Sequence, residues 1–413
     1  MRLFRLEIKR IMKSRRTLIL LAVLLLLSVV MAWLPVSFES INRLDEHGNI
    51  VELDGLEAIR FKKEYREKTY GEVTPQKVAD ALRTYQSFVS EYGTVDDVPL
   101  DIYTDHIMAI RPLLQGLPEA FADPDTGIGA DLMDIDPNEV EENYYEKCAS
   151  HLNDVMNMEQ EDHPSAKEYA TEKYGEVERP FHLNSGLSRD AFDYIELNIL
   201  LVLAILCTAI AAPVFANEYQ TGSDSIFRCA KHGRMRLAIT RIAAFGCIFI
   251  GTFIVGTGIL ISILNLCFGT DCLKTSMQML FSIINLPDYN LGQLQIILAA
   301  AGLLSVLASM SCTMFLSAKC KDSVTALLLS IVVLLLPAIS YIAIGGSTWI
   351  STILPSAGIG MQNNYLYQLI NFNFLHVGDL SLWTPHVILV SAAIEIPVFL
   401  LLAVRSYCKH RIA

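Results

Sequence analysis

The sequence lacks the motifs by which nucleotide-hydrolysing proteins and common hydrolases are recognised. Its 413 residues contain no phosphate-binding loop of the form G-x-x-x-x-G-K-[ST], no H-E-x-x-H zinc motif and no G-x-S-x-G nucleophile elbow. Because ATP hydrolysis needs a cradle for the phosphates, the chain is not expected to hydrolyse ATP alone. We expect no catalytic residue and no cofactor held by this chain, and a membrane enzyme is the weakest of the functional hypotheses.

Metal-binding patterns are also missing. The Asp-rich run that begins at Asp123 has Ile128 where a calcium loop needs Gly, and Asp134 where it ends in Glu. The nine histidines are scattered, and those near carboxylates do not share a ligand spacing. No metal site is predicted.

Charge is scarce as well, at 18% of residues against 52% hydrophobic, and the apolar residues form long blocks. A bilayer-spanning helix needs about 20 largely apolar residues, because its backbone must satisfy its own hydrogen bonds in lipid. The pattern predicts an all-α polytopic membrane protein with six transmembrane helices, at Thr17–Leu34, Ile195–Ala216, Leu237–Phe268, Leu291–Ala318, Val324–Ile344 and Val387–Val404.

Basic residues are nearly absent from two of the loops, and this absence orients the chain. The loop near Asp271 and the segment 345–385 together hold only Lys274, whereas the segments on the other side hold 17 Lys and Arg residues. Basic loops stay in the cytoplasm. We expect cytoplasmic N- and C-termini and an outer segment at 345–385 that is re-entrant or interfacial.

Residues 35–194 are predicted to form a mainly helical extracytoplasmic domain inserted between transmembrane helices 1 and 2. Residues 36–193 carry 35 acidic and 14 basic side chains, a net charge of −21, so the remainder of the chain is +9. An acidic surface repels nucleic acid, which is not an expected partner. Most cysteines are expected to be free, and the sequence leaves open whether Cys148 and Cys272 form a disulfide.

The first 16 residues indicate a cytoplasmic amphipathic interfacial helix along the membrane. Phe4, Ile8 and Ile11 recur at helical spacing, with basic residues on the other positions. The charges fix the orientation of the chain even if the segment is only a topogenic cluster. The transmembrane helix 1 that follows is assigned to residues 17–34.

The most informative segment is the loop at 217–236, together with its flanks. The helix is expected to run out of the membrane through Gln220 and to reverse at Gly222, and a short basic helix is expected from Ser225. Two interpretations are open on physical grounds: a loop whose cations merely set topology, or a rigid element that receives force from a soluble motor.

The pattern resembles that of type-2 ABC transporter permeases. The matching positions follow F-x-x-E-x-x-x-G and then a basic turn and a downstream cation: Phe215, Glu218, Gly222, Lys231, Arg234 and Arg241. The likeness extends to the arrangement of one span, a large outer domain and five more spans. Lys231 to Arg234 depart from the Pro-containing turn common in the family.

The resemblance implies a permease subunit of an ATP-driven ABC exporter in a bacterial cell membrane. A separate ABC ATPase subunit would bind ATP and Mg and dock on the N-terminal helix and the loop, so Arg228 joins the residues above as a coupling candidate. The permease would act as a homo- or hetero-dimer, surrounded by membrane lipid, on an antimicrobial peptide, a lipid or a drug-like substrate.

Two further features stay open. Glu395 is the ionisable residue placed well inside a predicted span, and it serves either a cavity or a structural hydrogen bond. The acidic outer domain supports an alternative function, a membrane sensor or immunity protein that binds a cationic peptide. The part that follows this domain, residues 195–413, comprises transmembrane helices 2–6.

Overall fold

The computed structural model describes residues 2–223, 233–344, 349–359 and 364–410, and it confirms the predicted fold class. The described chain is mostly helical and has six helices that are long and apolar enough to cross a membrane. We call them spans 1 to 6: Arg15–Ser37, Arg189–Thr221, Arg234–Phe268, Leu291–Lys319, Ser323–Ser340 and Thr384–Lys409.

Spans 2, 3 and 5 have internal or extended structure. Span 2 consists of Arg189–Leu197, a π-helical stretch Asn198–Ala204, Ile205–Ala211 and Pro213–Thr221. The helix of span 3 begins at Gly233, and that of span 5 continues to Ile344.

Polar residues set where several spans begin. Ser14 separates the N-terminal helix, Arg2–Lys13, from span 1 and accepts a hydrogen bond from the Thr17 amide. Asn290 and Gln293 form a reciprocal capping box at the start of span 4. Each cap satisfies amides that a helix leaves without an internal partner, so the helix boundaries follow from local sequence.

The domain between spans 1 and 2, residues 38–188, is mainly helical, and we call it the inserted domain. Its two-stranded sheets pair Ser40–Leu44 with Ile50–Asp54 and Gly71–Val73 with Phe181–Leu183. Its α-helices are Gly55–Arg66, Pro75–Tyr92, Leu100–Ile102, Met108–Leu114, Leu117–Ala120, Pro137–Glu159 and Pro164–Gly175. A π-helical turn, Tyr103–Ile107, and the 3₁₀ turns Glu67–Thr69 and Val95–Asp97 complete it.

The inserted domain is bonded to the loop between spans 3 and 4. The Thr275 hydroxyl donates to the Asn184 carbonyl at 2.6 Å and accepts from the Asn184 amide at 2.9 Å. The Tyr174 hydroxyl donates to the carbonyl of Ile283 at 2.9 Å. The loop itself contains 3₁₀ turns at Asp271–Lys274 and Met277–Met279.

The inserted domain also bonds to the segment before span 6. That segment contains the short helices Trp349–Thr352 and Tyr365–Ile370 and a hairpin of Phe374–Val377 with Leu380–Trp383. Ser165 donates to the carbonyl of Asp379 at 2.8 Å. Buried side chains of the inserted domain and of the spans belong to one continuous hydrophobic core, so the domain is not an independent globule.

Span 4 lies at the centre of the bundle and packs along span 6. The small residues Ala301, Ser305 and Ser309 lie on one face of span 4 and are buried. At Gly302, a Cβ atom would come within 2.5 Å of Ile199 Cδ1, so span 2 approaches more closely than any larger residue permits. Asn265 and Gln295 exchange side-chain hydrogen bonds of 3.0 and 2.9 Å between spans 3 and 4.

The fold settles the cysteine pairing that the sequence left open. Cys148 and Cys272 are both buried free thiols, and all the cysteines in the described part of the chain are free. The run that starts at Asp123 forms a local turn, in which the Asp123 carboxylate accepts from the Thr126 amide and hydroxyl, each at 2.8 Å.

We predict that the stability of the inserted domain falls as pH decreases from 7.5 to 5.5. His151 is only 8% exposed, and burial lowers its pKa below the ordinary 6.5, against the opposing effect of Glu119 and Asp154. The unfolded chain then binds more protons than the folded chain, so stability is lost as pH falls through about 6.5. Thermal unfolding of His151→Gln in detergent should show a shallower decrease with pH.

The exposed His47→Gln serves as the matched control and should keep the wild-type dependence. Identical pH slopes for His151→Gln and the wild type would show that His151 does not govern the pH dependence of stability.

Candidate functional site

A buried ion pair joins spans 2 and 3 at the end of the bundle opposite the inserted domain. Glu218 is 5% exposed and Arg241 is 1% exposed, and the guanidinium donates a hydrogen bond to Glu218 Oε1. The chain reaches this arrangement because the helix stops at Gly222, whose φ of 69° is a left-handed conformation that glycine adopts without strain. The reversal then lets span 3 run back beside span 2.

The N-terminal helix supplies a second carboxylate and a second guanidinium. Glu7 is the buried residue of that helix, and its Oε2 lies 3.6 Å from Arg241 Nε. Arg10 lies 3.4 Å from Glu7 and 3.8 Å from Glu218 Oε1. Two carboxylates thus share two guanidiniums, an arrangement that compensates the desolvation of each charge.

Span 6 completes the group through Tyr407. Its hydroxyl donates to Glu218 Oε2 at 2.9 Å, and its ring lies 6.0 Å from the Arg241 guanidinium carbon. The ring also packs on Phe215, which is fully buried, with centroids 4.9 Å apart. We call Glu7, Arg10, Glu218, Arg241 and Tyr407 the charge cluster; it connects the N-terminal helix and spans 2, 3 and 6.

Span 4 is attached to the same part of span 2 through Ser317. Pro213 interrupts the helical hydrogen bonding of span 2. Beside this interruption, the Ser317 hydroxyl donates to the Ala212 carbonyl at 2.6 Å. The same oxygen accepts from the amides of Phe215 and Ala216 at 3.0 and 3.1 Å. The segment that carries Phe215 and Glu218 is therefore held from two sides.

The predicted coupling residues divide into buried and exposed groups. Phe215, Glu218 and Arg241 meet inside the protein, while Gly222 lies at the exposed turn. Arg234 is exposed at the start of span 3 and donates to the Cys408 carbonyl at 3.5 Å. Arg228 and Lys231 lie outside the described residues.

A cavity of about 510 Å³ adjoins the charge cluster. Arg10, Arg16, Asn217 and Glu218 line its polar side, and Phe245 and Leu20 lie among its apolar residues. Arg16 also donates to the Ala209 carbonyl at 3.2 Å, which ties the start of span 1 to span 2. The cavity separates the N-terminal helix from span 2 beside the Glu218 carboxylate.

Glu395 lies elsewhere, on span 6, about 18 Å from Tyr407 along the helix axis at 1.5 Å per residue. Its Oε2 atom is buried and has no hydrogen-bond partner among the described residues. Glu395 does not belong to the charge cluster.

Sequence reasoning did not identify Glu7, Tyr407 and Ser317. The sequence offered one signal for Glu7, which is the single acidic residue among seven basic ones before Thr17. No sequence pattern marks Tyr407 or Ser317, because the role of each depends on the helix that its side chain contacts in the fold.

Comparison with known proteins adds one match. A family model described as ABC-2 family transporter protein matches residues 1–409. A search of curated proteins gives no match.

We predict that Arg241→Met destabilises the protein by about 3–5 kcal/mol, because it leaves the Glu218 charge buried without its main partner. Thermal unfolding in detergent should show a large decrease in Tm for this variant. The double variant Glu218→Gln/Arg241→Met should recover part of the loss, since neither charge then remains buried.

The exposed Arg236→Met removes the same charge from the same helix and should leave Tm nearly unchanged. A double variant no more stable than Arg241→Met would show that the two residues are not energetically coupled.

Proposed function

The chain belongs to the ABC-2 family of transporter proteins, and from this premise we propose that it is the permease half of an ATP-driven exporter with a separate motor. Membership makes it a multi-pass membrane permease subunit of an ABC transporter, and implies an ABC ATPase partner in general. Export, the coupling route and the orientation are our proposals.

The end of the bundle that carries the charge cluster is proposed to face the cytoplasm. The N-terminal helix, the turn at Gly222 and the segment between spans 4 and 5 lie at this end, and most of the basic residues that flank the spans belong to the segments joined to this end. The inserted domain then lies on the outer side. This orientation places the ATPase on the side where ATP is present, and a bacterial cell membrane is the proposed location.

The charge cluster is the observation that supports the coupling proposal. ATP and Mg would be bound by the ATPase, which would press on the exposed residues around Gly222. Glu218 is buried, so it would not contact the ATPase directly but would pass the displacement to Arg241, Glu7 and Tyr407. Movement of one short helical segment would thereby shift three neighbouring helices together.

A transport path requires more than this chain, so we propose a homo- or hetero-dimer of permeases with two ATPases. Apolar residues on the outer faces of spans 1, 5 and 6 are exposed, as expected for contact with lipid or a second permease. The substrate class remains within peptides, lipids and drug-like molecules. Nucleic acid is not proposed as a partner.

A receptor role for the inserted domain is the second candidate, motivated by the −21 charge of residues 36–193. Deletion of the domain is a poor test, because its core is continuous with that of the spans. Replacement of exposed carboxylates such as Glu91 and Asp125, followed by titration with a cationic peptide, tests the role without exposing that core.

We predict that Glu218→Gln uncouples the permease from its motor while binding to the motor persists. The substitution keeps the shape of the side chain but removes one of the two carboxylates beside Arg241. Glu7 remains 3.6 Å from the guanidinium, so Arg241 is not left without a carboxylate, and the exposed surface is unchanged. Permease-dependent ATP hydrolysis by the reconstituted complex should fall on the order of tenfold, within the usual range of coupling energies. Co-purification with the ABC ATPase partner should be retained.

The exposed Asn217→Ala, one residue away, is the control for local disturbance. If the Glu218→Gln complex hydrolysed ATP at the wild-type rate, Glu218 would not belong to the coupling route. Failure of the wild-type chain to associate with an ATPase would remove the exporter proposal itself.

A further inference from the structure

A cavity of about 650 Å³ lies between the inserted domain and the ends of the spans. Its lining includes a residue at or near the same end of four spans: Glu39 after span 1, Arg189 at the start of span 2, Phe268 at the end of span 3 and Leu291 at the start of span 4. The apolar stretches of spans 1, 3 and 4 begin or end close to these residues, and that of span 2 begins at Ile195, six residues after Arg189. The cavity therefore lies at the depth of the lipid headgroups on the side of the inserted domain.

The charge of this cavity is opposite to that of the domain around it. Five of the 14 basic residues in 36–193 line the cavity, but only one of the 35 acidic residues does so. The basic residues are Lys62, Lys63, Arg66, Arg111 and Arg189, and the acidic residue is Glu39.

The two lysines form ion pairs, whereas the hydrogen-bond and ring contacts of the three arginines are with neutral groups. Lys62 pairs with Glu39 at 2.6 Å, and Lys63 pairs with Asp271 at 3.2 Å. Arg66 donates to the Ser185 hydroxyl at 3.2 Å. The other two contacts are Arg111 with the Tyr103 hydroxyl at 2.8 Å and Arg189 over the ring of Phe281 at 5.8 Å.

No ion pair within the described residues includes Arg66, Arg111 or Arg189. The Nε atom of Arg66 is buried and has no hydrogen-bond acceptor among the described residues. A guanidinium offers several donors in a planar fork that matches phosphate and carboxylate oxygens. Three such groups at one cavity create a strong preference for an anion.

The rest of the lining is apolar. Side chains from the inserted domain and from the loop between spans 3 and 4 form this part of the wall, among them Ile59, Leu114, Leu187, Met279 and Leu280. A small hydrated anion gains nothing from such a wall, but a molecule with a hydrocarbon portion does.

We propose that this cavity binds an anionic phospholipid, with the headgroup phosphate held by Arg66, Arg111 and Arg189 and the start of its acyl chains against the apolar wall. The ligand is available at this depth without leaving the membrane. A cationic peptide is disfavoured here, because it would meet three guanidiniums. Binding requires no ATP and no partner subunit, so the site stands apart from the exporter function proposed above.

The test is a lipid titration of the purified full-length chain in detergent, followed by native mass spectrometry. Phosphatidylglycerol and phosphatidylcholine of equal acyl length are the probes. We expect phosphatidylglycerol to bind more tightly, and Arg111→Gln and Arg189→Gln each to weaken it about tenfold, which corresponds to the loss of one charge-assisted contact. Both side chains are exposed, so folding should be preserved.

Arg60→Gln is the matched control, since Arg60 lies on the same helix as Arg66 but is exposed outside the cavity. It should bind as the wild type does, despite the same change of charge. Equal affinity of Arg111→Gln, Arg189→Gln and Arg60→Gln would overturn the proposal, as would equal affinity for the two lipids. Displacement of phosphatidylglycerol by 10 mM inorganic phosphate would also overturn it, by showing that a free anion is sufficient.

Discussion

The burial of opposite charges on two neighbouring helices is the interaction on which one end of this structure depends. Arg241 is almost fully buried, and a guanidinium in that position is tolerated only with a carboxylate beside it. Glu218 meets this requirement and fixes the register of span 2 against span 3. The remaining oxygen of Glu218 accepts from Tyr407, and Glu7 brings the N-terminal helix to the same guanidinium. The cluster therefore makes several helices mechanically dependent on one short segment, which ends at the exposed turn of Gly222.

The two ends of the bundle are held together by different physical means. At the opposite end, neutral hydrogen bonds join the inserted domain to neighbouring loops, as between Thr275 and Asn184 or Tyr174 and Ile283. Each such bond contributes only about 0.5–1.5 kcal/mol, but they are distributed over a broad surface above a shared apolar core. The charge cluster instead concentrates its energy in a few contacts. Because these contacts share a few charged groups, a displacement of one of those groups would affect all of the contacts, whereas the contacts of the inserted domain are spread over many residues.

Much of the fold followed from the sequence, because lipid imposes a simple rule on the backbone. Long apolar blocks indicated all six spans, and Gly222 indicated where span 2 ends. The F-x-x-E-x-x-x-G motif and its downstream cation identified Phe215, Glu218 and Arg241 as candidates. The motif did not indicate that these three side chains meet inside the protein. Glu7 was hidden in a basic helix, and Tyr407 lies 189 residues from Glu218. Partnerships of this kind depend on the tertiary arrangement of helices, on which local periodicity carries no information. For the same reason, the attachment of the inserted domain to the later loops was not predicted.

The net charge of the inserted domain shows where an average over residues misleads. A value of −21 favours a cationic ligand when the charge is treated as uniform. At physiological ionic strength, however, exposed charges are screened beyond about 8 Å, so a ligand responds to the groups nearest to it. Around the cavity those groups include Arg66, Arg111 and Arg189, while Glu39 and Asp271 are bonded to lysines. The sign of the average charge therefore does not decide which ligand a particular part of the domain would bind.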